Sequence, residues 1–89
     1  MKSKLEHAGF IVRSSYRKQV FVMLDSPIRP SEIAKKLSIR LTHITRELRA
    51  LKSRKLVECL NPDERVGRLY PLTRKGKLLK KEMISKSLL

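Results

Sequence analysis

The chain reads as an α+β domain, mainly α: three helices, a two-stranded β-hairpin and a C-terminal helix. Three observations carry this. Residues 40–55, RLTHITRELRALKSRK, place Ile44, Leu48 and Leu51 in one stripe at about 100° per residue, with Thr42, Arg46, Arg49 and Ser53 nearly opposite. Two short apolar runs, 56–60 and 68–72, flank the turn-rich stretch NPDERVG, which is the pattern of a hairpin. Pro30 stands where a first helical residue stands, with Glu32 near the positive end of the dipole, so a short helix over 30–37 precedes the basic one.

Charge narrows the function. The 89 residues form one domain with room for one small core, yet Lys and Arg number 22 against 8 Asp and Glu, a net charge of +14. A chain so charged repels itself unless a polyanion compensates, and nucleic acid is the leading candidate. The excess is concentrated, at +5 over residues 40–55 and +5 over residues 73–89. The single cysteine, Cys59, excludes an internal disulfide and a thiol-rich zinc site, and is expected as a small strand residue facing the core. No run approaches the roughly 20 apolar residues of a membrane span and the N-terminus lacks a signal peptide's apolar core, so a soluble cytoplasmic protein is expected.

In chain order, residues 1–9 are polar, basic and end in Gly9, and are expected as a flexible basic arm before a domain over 10–89. Phe10, Ile11 and Val12 begin either a short strand or the first helix. Ser14 or Ser15 caps a helix in which Tyr16, Val20, Met23 and Leu24 form the packing stripe. Phe21 and Val22 fall outside that stripe, so the helix is either central or in contact with a partner chain. Asp25-Ser26-Pro27 ends it. Ile33, Ala34 and Leu37 form the buried side of the next helix, and Ser38-Ile39 a brief turn. Two helices joined this closely, the second basic, make a helix-turn-helix pattern. Thr73 caps the last helix, about 73–87, on which Leu78, Leu79, Met83, Ile84 and Leu88 scatter around the axis, either as a fraying tail or as a helix that meets both its own domain and a second subunit. Phe21, Val22, Leu79, Met83 and Ile84 are therefore the candidate homodimer contacts. The isolated Gly9, Gly67 and Gly76 mark turns or close packing.

The stretch SEIAKKLSIRLTHITRELRALKSRKLVECL resembles the paired helices and first wing strand of winged helix-turn-helix proteins. GRLYPLTRKGKLL is similar to the second wing strand and the Leu-Thr-x-x-Gly turn of MarR-like and ArsR-like regulators. The resemblance spans residues 10 to about 82, and LNPDERVGRLYPLT looks like the wing of small archaeal winged-helix regulators. It implies a homodimeric transcriptional regulator that binds double-stranded DNA sequence-specifically, with its recognition helix, 40–55, in the major groove. Arg40 departs from the pattern, standing where the family usually has a capping Ser or Thr. Either Thr42 caps a later-starting helix or Arg40 turns toward a phosphate.

On that docking geometry the outward stripe nominates Thr42, His43, Thr45, Arg46 and Arg49 as base contacts. Arg46 leads them, by bonding a guanine bidentately, though an exposed arginine bonding one phosphate reads equally well. Ser31, Lys35, Lys36, Arg40, Lys52, Ser53, Arg65 and Arg68 are the candidate phosphate contacts. No paired carboxylates, Cys-His constellation, glycine-rich phosphate loop or metal-ligand spacing supports catalysis, a cofactor, a metal or a small-molecule ligand. Two rival readings share the charge. One is a basic RNA-binding protein of a ribonucleoprotein, disfavoured by only two Tyr and two Phe for base stacking. The other is a winged-helix protein-interaction module of a transcription complex, disfavoured by the +5 recognition helix.

Overall fold

The computed structural model describes residues 4–89, and among them five helices: α1 (Lys4–Val12), α2 (Ser15–Val22), α3 (Pro30–Leu37), α4 (Leu41–Ser53) and α5 (Arg74–Ser85). The local signals act as expected at three starts. The Ser14 hydroxyl accepts from Arg17 N–H at 3.2 Å, the Thr73 hydroxyl accepts from Gly76 N–H at 3.0 Å, and Pro30 opens α3. Between α3 and α4, Ser38 takes a left-handed backbone (φ 56°), Ile39 N–H returns to Ala34 O at 3.1 Å, and the Ile39 side chain is buried in the turn.

The first correction lies at the N-terminus. Residues 4–9, expected in the flexible arm, belong to α1, because Ala8 and Ile11, three apart, face inward and are buried in the common core. Residues 1–3 of that expected arm lie outside the described residues. Phe10–Val12 thereby falls in a helix rather than a strand. α1 packs on α2 and α5, while α4 packs on α2 and α3. α2 is thus central, which explains its surplus of apolar residues: Phe21 is fully buried in the chain's own core. Leu79 and Met83 are buried there as well. Phe21 is withdrawn as a partner contact, since a side chain already enclosed has no surface to offer, while Leu79 and Met83 reach the surface only at the floor of a narrow crevice. Val22 and Ile84 remain exposed. Tyr16, expected in the α2 packing stripe, is 41% exposed, because it stands at the first turn of α2 where the stripe overshoots the core.

The second correction concerns the hairpin. Among the described residues no extended strand is formed, only single antiparallel bridges, Val57 to Leu72 and Ile28 to Tyr70. Segments 56–60 and 69–73 do approach in one register: Thr73 N–H donates to Leu56 O, Glu58 N–H to Pro71 O and Leu60 N–H to Leu69 O. Each lacks its reciprocal bond for a chemical reason. Pro71 has no N–H, Leu69 N–H is taken by the Asn61 side chain at 2.8 Å, and Leu56 N–H closes the end of α4 on Leu51 O. Cys59, expected to face the core, is half-buried with its thiol toward Asn61 Oδ1.

α5 starts hard against this connection, and Gly76 is the reason it fits. A Cβ on Gly76 would drive into the Leu56 carbonyl and lie 3.3 Å from Leu72 Cβ, whereas one on Gly9 would meet only the tip of Arg13. Gly76→Ala is therefore expected to destabilise the fold by about 1–3 kcal/mol in urea unfolding. Gly9→Ala, inside α1, is expected to stabilise it by about 0.5–1 kcal/mol. Equal effects of the two would remove the packing role assigned to Gly76.

Candidate nucleic-acid interface

The amphipathic reading of α4 holds residue by residue. Ile44, Leu48 and Leu51 are buried, while Arg40, Thr42, Thr45, Arg46, Arg49, Lys52 and Ser53 are exposed. The first turn resolves the question at Arg40. The helix starts at Leu41, Arg40 occupies the cap position with no side-chain cap bond, and Thr42 lies inside the helix. Arg40 O accepts from His43 and Ile44 N–H at 3.0 and 3.2 Å, so the backbone alone closes the turn. The positive end of the dipole is thereby left without a side-chain cap, a favourable place for an anion.

Several side chains on this helix are held rather than loose. His43 is half-buried, its ring 5.1 Å from that of Tyr16 and tilted by 56°. The Thr45 hydroxyl donates to Thr42 O at 3.1 Å and the Ser53 hydroxyl to Ala50 O at 2.6 Å. These bonds orient the two hydroxyls along the helix and leave their lone pairs outward.

The acid on α4, Glu47, is turned inward and is only 7% exposed. Arg17 Nε donates to its Oε1 at 3.0 Å, and Arg17 Nη1 donates to Phe10 O at 2.6 Å. The Phe10 ring is flanked by two guanidiniums, Arg17 at 3.8 Å and Arg54 at 3.7 Å from its centroid. One cluster thus ties α1, α2 and both halves of α4. Nothing in local spacing announces it, because Arg17 and Glu47 lie thirty residues apart.

Beside α4 the 61–69 loop is organised by Asn61. Its Nδ2 donates to Gly67 O at 3.1 Å, its Oδ1 accepts from Leu69 N–H, and its carbonyl accepts from Glu64 N–H at 3.1 Å. Gly67, at φ 75°, supplies the left-handed step this turn requires. Arg68 was nominated for phosphate, but its guanidinium donates to Glu64 O at 2.6 Å and Pro62 O at 3.1 Å, so it shapes the loop. Arg65 is exposed.

Between α4 and this loop run two adjoining hollows of about 250 and 320 Å³. Arg29, Arg49, Lys52, Arg65 and Arg68 line them with Thr45, Ser31 and Tyr70, and no carboxylate does. Thr45, Arg49, Lys52, Ser31 and Arg65 are thus brought together around these hollows. Lys35 and Lys36 are exposed on α3 outside the hollows. Arg29 escaped the sequence reading. Its signal was available, a basic residue at the cap position immediately before Pro30. Among the described residues no group of three His, Cys, Asp or Glu is placed to hold a metal, and no helix is long and apolar enough to cross a membrane.

Neither a family model nor a curated protein matches the sequence. Solved structures do. The reduced form of the transcriptional regulator YodB from B. subtilis is 24% identical with a TM-score of 0.78, over 98% of this chain and 88% of that one. The reduced form of MarR from E. coli is 28% identical with a TM-score of 0.72, over 93% and 65%. A mutant MarR from E. coli complexed with operator DNA is 26% identical with a TM-score of 0.70, over 96% and 68%. The chain has the MarR-like winged-helix fold of these regulators and spans about two thirds of the MarR chains.

The Arg17–Glu47 pair sets the rotation of α4 against α2. Arg17→Ala and Glu47→Ala are each expected to cost about 1.5–3 kcal/mol of stability, with the double variant losing clearly less than the sum in a mutant cycle. Strict additivity would show that the two side chains do not brace one another.

Proposed function

We propose that this MarR-like winged-helix chain is a sequence-specific double-stranded DNA-binding transcriptional regulator that acts in the cytoplasm with the outward stripe of α4 in the major groove. The observation that carries the reading is the continuous basic surface. Thr42, Arg46, Arg49 and Lys52 face outward on a helix whose one acid is buried against Arg17, and they run into hollows lined by cations without a carboxylate. A major groove admits a helix of this width, and short hydroxyls between the arginines allow close approach. Arg46 and Arg49, with Thr42, His43 and Thr45, read base edges in this scheme. Arg29, Ser31, Lys35, Lys36, Arg40, Lys52, Ser53 and Arg65 hold phosphates, while Arg68 stays with the loop. The operator-bound MarR supports this choice of partner.

The aromatic residues favour duplex DNA over unpaired RNA. Phe21 is buried, Phe10 is enclosed by Arg17 and Arg54, and Tyr16, 41% exposed, lies on His43, so Tyr70 alone offers a ring in the hollows, fewer than a row of stacked bases needs.

The chain acts as a homodimer in this reading, as a two-fold operator requires. Val22 and Ile84 lie beside Lys77, Lys80 and Lys81, where two copies would oppose like charges. The edge between α1 and the chain end suits an isologous contact better. Leu5 is 77% exposed there, next to Leu88 and a crevice floored by Ala8, Leu79 and Met83, and the Glu82–Lys86 ion pair at 3.2 Å forms its rim. Leu5→Lys is expected to shift the chain from dimer to monomer in analytical ultracentrifugation, and an unchanged dimer would exclude this edge.

Selection of bound duplexes from a random pool is expected to return an inverted repeat. On that site Arg46→Ala should lose about 1–3 kcal/mol of preference over unrelated duplex. Lys52→Ala should weaken all duplexes alike and reduce the slope of log affinity against log salt by about one. Preferential competition by structured RNA, or equal loss of preference from both variants, would overturn the assignment.

A further inference from the structure

The +14 charge is not used up by the α4 surface. α5 packs on α1 through Leu79 and Met83, with Gly76 against the 56–72 connection. At about 100° per residue its opposite side presents Arg74, Lys77 and Lys81 as one ridge. Leu78 and Ile84, each 55% exposed, flank that ridge on either side. The carboxylates nearest to it are already engaged: Asp25 Oδ2 with Lys80 Nζ at 2.7 Å, and Glu82 with Lys86. Lys80 Nζ also donates to Val22 O, and Lys75 Nζ to Arg54 O, so these two lysines are held to the domain. Among the described residues the three ridge cations make no ion pair. A shallow cleft of about 290 Å³ runs along the ridge between Lys77, Lys81, Lys80, Asp25 and Ile84.

We propose that this face of α5 is a docking surface for an acidic amphipathic segment of a partner protein, with the partner's carboxylates on Lys77, Lys81 and Arg74 and its apolar side chains on Leu78 and Ile84. Charge complementarity selects this occupant. A second copy of the chain would bring the same ridge against itself, three cations opposite three, with only Asp25, already held by Lys80, to answer them. A DNA backbone would satisfy the cations but leave Leu78 and Ile84 against phosphates, with no gain from covering them. A segment with glutamates or aspartates along one side of a helix and leucines along the other satisfies both kinds of residue. α4 packs on α2 and α3 and meets α5 only at its C-terminal end, where Lys75 Nζ donates to Arg54 O and Thr73 Oγ1 to Lys55 O, so the first turns of α4 and the Lys77–Lys81 part of the ridge are left to different partners.

The test uses the full chain and a fluorescent synthetic peptide carrying glutamates on one helical face and leucines on the other. Its controls are a scrambled peptide of identical composition, polyglutamate of equal charge, and a labelled duplex. The amphipathic peptide is expected to bind about tenfold or more tightly than either acidic control. Lys77→Gln with Lys81→Gln, and separately Leu78→Ser with Ile84→Ser, should each weaken it about tenfold. Duplex affinity should stay within about twofold in the Leu78/Ile84 variant. Far-UV circular dichroism confirms that these surface variants remain folded. Equal binding of all acidic probes reduces the face to bulk charge and overturns the proposal. So does absence of peptide binding, or a loss of duplex affinity in the Lys77/Lys81 variant as large as the loss of peptide affinity.

Discussion

Glu47 stands on a helix surrounded by positive charge, and it is the one charged residue of α4 that faces inward. Its carboxylate accepts from Arg17, Arg17 in turn holds the Phe10 carbonyl, and the Phe10 ring lies between Arg17 and Arg54. A half-buried arginine and a buried carboxylate are costly to desolvate separately, so the pair persists only in one mutual arrangement. That arrangement fixes how α4 is rotated about its own axis. With Glu47 inward, Arg46 and Arg49 are necessarily outward, and the apolar stripe of Ile44, Leu48 and Leu51 reaches the core.

Two further acids and two backbone carbonyls act in the same way. Asp25 pins Lys80, Glu82 pins Lys86, and the carbonyls of Pro62 and Glu64 hold Arg68. Each removes a cation from the free surface and ties a helix or loop end in doing so. Besides scattered cations such as Lys35 and Lys36 on α3, the uncompensated charge gathers in two places, the α4 face with its adjoining hollows and the outward ridge of α5. The molecule therefore presents two separate positive surfaces of different character. One is interleaved with hydroxyls, the other with leucine and isoleucine.

What a single sequence disclosed depended on the range of the interaction. Periodicity within α3 and α4, the Ser14 and Thr73 caps and the Pro30 start are local, and they were legible. Most of the outward stripe was legible for the same reason, since burying Leu48 and Leu51 decides where Arg46 and Arg49 go. The bracing of Glu47 was not, because its partner is thirty residues away and no short-range pattern marks it. Phe21 was read as surplus apolar surface because centrality is a tertiary property: α2 is covered on two sides by α1 and α4. The helical character of residues 4–9 was missed because the inward face of α1 carries, besides His7, only Ala8, Phe10 and Ile11, too few apolar residues to outweigh a polar, glycine-containing stretch. The ladder was overestimated although Pro71 advertised a missing donor, and the capture of Leu69 N–H by Asn61 could not be seen before the loop closed.

The one-sided bonding of 56–60 with 69–73 has a mechanical consequence. An antiparallel pair that exchanges both bonds at each site resists shear and fraying together, whereas this one is stitched by single bonds and anchored chiefly by Asn61 and Arg68 within the loop itself. Its seat on the domain is made on the other edge, where Tyr70 and Leu72 N–H donate to Ile28 and Leu24 O, and by Leu56, Val57 and Leu72, which are buried in the core. Internal shape and anchorage of the loop are thus carried by different bonds, so loss of the Asn61 side chain would slacken the turn while leaving its seat on the domain in place.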